Sequence, residues 1–213
     1  LHIVLLSAFI AASAIDFELW VIPISICWTV TIAALVFSAA GGWIIDPFII
    51  RHYNLLPTAS AGTGLIAAGG AVGLAISMTL LMSGAVKASY YLDDSKDTAQ
   101  QEAEFNHRLE MGREILFLAP ILLCAAGSWL AGTKIPPIRD WWVGFSQHPA
   151  AAGFLGSLYG YFVGCAVVWT ARILGTLAFK KEAMGLGDVH LMGAAGAVIG
   201  WATVVIAFFI APF

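Results

Sequence analysis

"KKEAMGLGDVHLMGAAGAVIGW", residues 180–201, carries a chain from charged to wholly apolar within a few positions. Two lysines and a glutamate lead into Gly185-Leu186-Gly187-Asp188, after which the sequence stays apolar to its end. A carboxylate at the mouth of a hydrophobic segment is costly, and an ionisable residue at a membrane edge marks a functional site unless something else explains it. The physics of the stretch leaves two readings open. Asp188 is either a chemical group or the polar cap of a helix N-terminus.

Composition decides the environment. Of 213 residues, 60% are hydrophobic and 11% charged, and the mean hydropathy is +0.88. Soluble domains carry roughly 25% charged residues, so the chain reads as an integral membrane protein. Its net charge of -3 argues against a nucleic-acid partner and leaves the lipid bilayer as the surrounding. Cys27, Cys124 and Cys165 lie in apolar runs without a CxxC pair, and read as small hydrophobes with neither disulfide nor metal role. The chain opens at Leu1 within an apolar run, as a piece of a longer protein would.

A bilayer core needs roughly 20 apolar residues per helix. Residues 1–15, 23–45, 61–86, 115–133, 151–179 and 189–213 answer to that, which predicts an all-α polytopic bundle of about six transmembrane helices. Glycines four apart (Gly156, Gly160, Gly164, and Gly69 with Gly73) predict close helix packing in lipid. Orientation follows from basic residues. If Asp16 and Asp188 share a side, that side holds Lys87, Lys96, Arg108, Arg113, Arg172, Lys180 and Lys181, and Arg51, Lys134 and Arg139 lie opposite. Both aspartates are therefore expected on the cytoplasmic side. Within the polar connection 87–114, residues 93–114 have helix-forming composition and read as a surface helix between two spans. In it Glu104, His107 and Glu110 have a spacing that a metal tolerates but that a solvated face explains better.

Asp16, in "AIDFELWVIP" (residues 14–23), is the other lone carboxylate at the end of an apolar run. Two carboxyls sharing a site cannot both ionise easily, so one stays protonated. The ionised one then activates water while its partner polarises a scissile carbonyl. Gly185 and Gly187 leave room beside Asp188 for a peptide backbone.

Those residues resemble a known family. Gly185, Gly187, Asp188, His190, Leu191 and the Gly200-Trp201 ending are similar to the signature of the bacterial type IV prepilin peptidases, the GxGD membrane aspartic proteases. Ile15-Asp16, seven residues before Pro23, resembles that family's first catalytic motif. The family usually has lysine where His190 stands, and an Asp or Asn where Ile24 follows the proline. Asp46, eleven residues before Pro57 and followed by Pro47, is the weaker candidate and falls on the opposite side. The likeness divides the chain into 1–45 with the first aspartate, an insertion over 46–145 with two additional spans, and 146–213 with GxGD.

The resemblance implies an aspartic endopeptidase of the bacterial inner membrane, working at the cytoplasmic face without a cofactor. It would cut the leaders of type IV prepilins or pseudopilins after a glycine. Asp16 and Asp188 would be catalytic, and Gly185, Gly187 and His190 would meet the substrate, with Glu18 contacting a basic leader. Glu182 is expected to balance Lys180 and Lys181 instead. Family members that also methylate, with S-adenosylmethionine, do so through an N-terminal region with paired CxxC motifs that these residues lack, so neither zinc nor methylation is expected from them. A transporter or proton-conducting protein using the same aspartates is the reading of a different class, and a catalytically silent member of an assembly apparatus is a third. Presenilin-like proteases share GxGD, but their Tyr-Asp and Pro-Ala-Leu motifs are missing here.

Overall fold

The computed structural model describes residues 1–20, 22–87, 89 and 106–211. Among them are nine helices: α1 (His2–Leu19), α2 (Ile24–Ile44), α3 (Pro47–Tyr53), α4 (Ala61–Met82), α5 (His107–Lys134), α6 (Pro136–Ser146), α7 (Pro149–Phe179), α8 (Leu186–Ile199) and α9 (Trp201–Ile210). The architecture is an all-α polytopic membrane bundle. Five helices, α1, α2, α4, α5 and α7, are long and apolar enough to cross a bilayer. Their outer faces carry bare hydrocarbon, with Ile3 84% and Phe17 88% exposed on α1. Soluble folds bury such contiguous faces, whereas lipid solvates them.

The core forms where α2, α7 and α8 meet. Cys27, Val30 and Ala34 of α2 pack with Tyr161, Cys165 and Val168 of α7 and with Val189, Ala194 and Val198 of α8. Glycine makes the contact close. Cβ atoms added at Gly160 and Gly164 would collide with the backbone carbonyls of Gly196 and Met192, so α7 and α8 touch main chain to main chain. Ser157 Oγ donates to the Ala197 carbonyl at 2.8 Å within this interface. The α4–α5 pair repeats the device, with Gly69 and Gly73 against the backbone at Cys124 and Pro120. Ser77 Oγ donates across it to Phe117 O at 2.7 Å, and Ser128 Oγ to Leu65 O at 2.8 Å. Small residues and hydroxyl bonds replace the hydrophobic drive that lipid removes.

The last apolar stretch, expected as one span over 189–213, is broken. Gly200 has φ 83 and ψ 164, a backbone region open essentially to glycine alone. It ends α8 and starts α9. At 14 residues α8 is about 21 Å long, short of a bilayer core of about 30 Å, and the crossing needs both pieces.

α7 errs in the other direction. Its 31 residues reach about 46 Å, beyond the hydrocarbon thickness. Lys180 then turns the chain through the left-handed region (φ 55), and residues 181–185 run back along the last turns of α7. Ala183 N–H donates to Thr176 Oγ1 at 3.2 Å. The Arg172 guanidinium donates to the Met184 carbonyl. Met184 is thereby level with a residue about 10 Å short of the tip of α7, and α8 starts below that tip.

Candidate active site

Asp188 occupies the first turn of α8, partly exposed, and its Oδ2 accepts a hydrogen bond from the Gly185 N–H at 3.1 Å. The carboxylate closes the turn it helps to start, which is a favourable place for negative charge. One oxygen thus has a backbone donor, and the side chain still reaches solvent. The cap and the chemical group, opposed at the level of sequence, are compatible in one residue.

Asp16 lies in the last turn of α1 and is exposed. Trp20 ends that helix in the left-handed region with its N–H on the Asp16 carbonyl at 2.9 Å. The chain then passes to Ile22, which seats on the GxGD turn. A Cβ added at Gly187 would stand 2.9 Å from the Ile22 Cβ. Gly187 is glycine because the segment after α1 covers it. This seat, with the packing of α1 on α8, brings the Asp16 end of α1 and the Asp188 end of α8 to the same end of the bundle.

Asp46 is accounted for otherwise. It caps α3, its carboxylate accepting from Phe48 N–H at 2.7 Å, at the end of α2 remote from Ile24. Glu18 is exposed at the same end as Asp16 but two residues on, which turns it to a different face of α1. Gly185 has space around it, since an added Cβ meets nothing nearer than Asp188 Oδ2 at 3.5 Å. His190 faces inward, Nδ1 3.4 Å from the Tyr161 hydroxyl and its ring beside Trp28. Glu104 lies outside the described residues, and Glu110 pairs with Arg113 at 2.5 Å.

The expected partner of Glu182 is corrected. Its carboxylate meets Arg172 Nη1 at 2.7 Å, because the loop folds back onto α7. Arg172 is corrected too. Counted from sequence among the cations flanking a span, it is fully buried inside α7. Its Nε donates to Glu114 of α5 at 3.0 and 3.3 Å, and Glu114 also accepts from Trp169 Nε1 at 2.8 Å. The sequence held one signal for this cluster, a lone arginine in the apolar run "GCAVVWTARILG".

Beside the site opens a cavity of about 470 Å³ between α4, α5, α7 and α8. Leu74, Met78, Phe117 and Phe162 line its length, and Leu186, Val189 and His190 bring the GxGD helix to it. Its lining reaches the first turn of α8 but includes neither Asp188 nor Asp16.

The model of the type IV leader peptidase family matches residues 115–213. The match takes in most of α5 and all of α6 through α9, with Asp188 inside it, and begins after Glu114 and far beyond Asp16. It includes residues 115–145, part of the stretch read as an insertion. Comparisons with curated proteins and with solved structures returned no match. Over residues 115–213, a little under half of its length, this chain is similar to the type IV leader peptidase family.

Proposed function

We propose that the protein is an aspartic endopeptidase that removes leaders from prepilin-like or pseudopilin-like substrates, with Asp16 and Asp188 as the catalytic pair. The observation that carries the reading is the seat of Ile22 on Gly187, which gathers the ends of α1 and α8 that bear these carboxylates. With one carboxyl protonated and the other ionised, the ionised group takes a proton from water as that water attacks the peptide carbonyl. The protonated group donates to the carbonyl oxygen, giving a tetrahedral diol. As the C–N bond breaks, the carboxyl that took the water proton gives it to the leaving amine, and the other carboxylate takes back a proton from a diol hydroxyl. The pair titrates as a unit.

The substrate in this reading has a short basic leader, a glycine and then an apolar helix that stays in the bilayer. The apolar cavity beside Val189 and His190 supports an apolar continuation. The carboxylates then work at the cytoplasmic face of a bacterial inner membrane, where the basic leader would lie. The test is leader cleavage by the purified protein in lipid, with Asp16→Asn and Asp188→Asn beside Asp46→Asn. Loss in the first two and retention in the third supports the pair. Full activity in Asp16→Asn removes it.

A further inference from the structure

Arg172 joins two parts of the molecule that are distant in sequence. On one side Nε donates to both Glu114 oxygens, and Glu114 is 2% exposed. On the other, Nη1 donates to Glu182 and to the Met184 carbonyl, the last peptide before Gly185-Leu186-Gly187-Asp188. Trp169 Nε1 and Ser89 Oγ also donate to Glu114, at 2.8 and 3.3 Å. A single buried cation thus binds the backbone that launches α8, and a helix carrying neither candidate aspartate supplies its counter-charge.

The loop has few other holds. Residues 180–183 are exposed, and Glu182 is 45% exposed. Packing fixes the axis of α8 through Val189 and the alanines beyond it, and the Arg172 bond to the Met184 carbonyl acts with the Ala183 N–H on Thr176 and the seat of Ile22 on Gly187 at its first turn. An arginine is suited to this because its planar fork serves Glu114 and the loop at once, in fixed directions; a lysine offers a single point of charge. Glu114 keeps the fork oriented, since a desolvated guanidinium without its carboxylate would seek water and swing from the loop.

We propose that Glu114 and Arg172 are positioning residues that set the depth and direction of the Asp188 turn, so that α5 is a working part of the active site. The proposal rests on the reading of Asp188 as catalytic, and acts through the loop and not through contact with substrate. Displacing a reacting group by about 1 Å costs on the order of 100-fold in rate. Rate, far more than substrate affinity, is therefore the expected casualty.

The experiment pairs kinetics with a loop reporter that needs no activity. Purified protein in liposomes cleaves a synthetic peptide of basic leader, glycine and apolar helix. In parallel, maleimide labelling of Met184→Cys is followed by peptide mass spectrometry, which separates it from the native cysteines. Arg172→Met and Glu114→Gln are expected to lower kcat by about tenfold or more, with KM within about twofold, and to raise the labelling rate about tenfold. Arg172→Lys is expected to recover part of kcat. Wild-type kcat and labelling in a folded Glu114→Gln protein overturn the proposal. So does a loss of kcat that only tracks the folded fraction. If these variants do not fold, Arg172→Lys keeps the charge for Glu114 but not the fork that reaches the loop; faster labelling with lower kcat supports the proposal, and wild-type labelling and kcat overturn it. Activity in Asp188→Asn would instead remove the catalytic reading, and the labelling result would still decide whether Arg172 holds the loop.

Discussion

Arg172 and Glu114 form a buried ion pair, Nε to Oε1 at 3.0 Å, between helices whose residues are 58 apart in sequence. Both side chains are buried, and Arg172 has the half-exposed Glu182 as a second carboxylate partner. Breaking a buried pair by removing one partner costs about 3–5 kcal/mol, whereas replacing both with apolar groups is often close to neutral. Arg172→Met and Glu114→Met are each expected to lower the unfolding temperature of the detergent-solubilised protein sharply. The double Met variant is expected to unfold above both singles. A loss in the double equal to the sum of the two single losses would mean that the pair is not energetically coupled.

The two glycines of the GxGD turn separate by what surrounds them. Gly187→Ala places a Cβ against the Ile22 Cβ, which cannot rotate away, so the chain after α1 has to move. Cleavage is expected to fall in Gly187→Ala and to recover partly when Ile22→Gly is added. Gly185→Ala, with nothing nearer than 3.5 Å, is expected to stay close to wild type. Kinetics on the three proteins check this, and equal sensitivity at both glycines would count against the seat.

Asp46 gives a contrast of stability and activity. Its carboxylate caps α3, and loss of such a cap costs about 1 kcal/mol. Asp46→Ala is expected to lower thermal stability slightly while cleavage persists. Asp46→Asn keeps a capping side chain and is expected to change neither. Loss of cleavage in a folded Asp46→Asn protein would move the catalytic role away from Asp16.

Glu18, exposed beside Asp16 at the end of α1, is the expected contact of a basic leader. Glu18→Gln is expected to raise KM by about two- to fivefold, the scale of a solvent-exposed ion pair. That effect shrinks as salt screens the charges. Measurements at two ionic strengths with leaders of different charge test it, and an unchanged preference for basic leaders would take Glu18 out of the site.

Interior glycines are likewise not equivalent. Gly160 abuts the Gly196 backbone, and Gly160→Leu is expected to prevent the close contact of α7 with α8 and to unfold the protein. Gly112 and Gly127 of α5 have nothing within 4 Å of an added Cβ. Alanine there is expected to be neutral or stabilising, by up to about 1 kcal/mol of helix propensity. Thermal unfolding of the three variants distinguishes packing from composition.

The sequence alone carried everything that depends on local pattern. Runs of some twenty apolar residues dictate membrane helices because lipid leaves the backbone no other partner than itself. The spacings Gly185-Leu186-Gly187-Asp188 and Ile15-Asp16 to Pro23 were legible because they are short and contiguous. Only the tertiary structure decided which charges meet. Glu182 looked paired with the neighbouring lysines, and Arg172 looked like a flanking cation; the loop that doubles back along α7 gives each to the other. Glu114 had no visible partner in its own stretch of chain, because its partner arrives on another helix. The break at Gly200 also escaped the hydropathy reading, since apolar content is continuous through residue 200 and the interruption lies in a backbone angle. Hydrophobicity is a property of each residue, and helix period of its near neighbours. Ion pairing and depth in the bundle belong to surfaces that exist only after α5, α7 and α8 have packed.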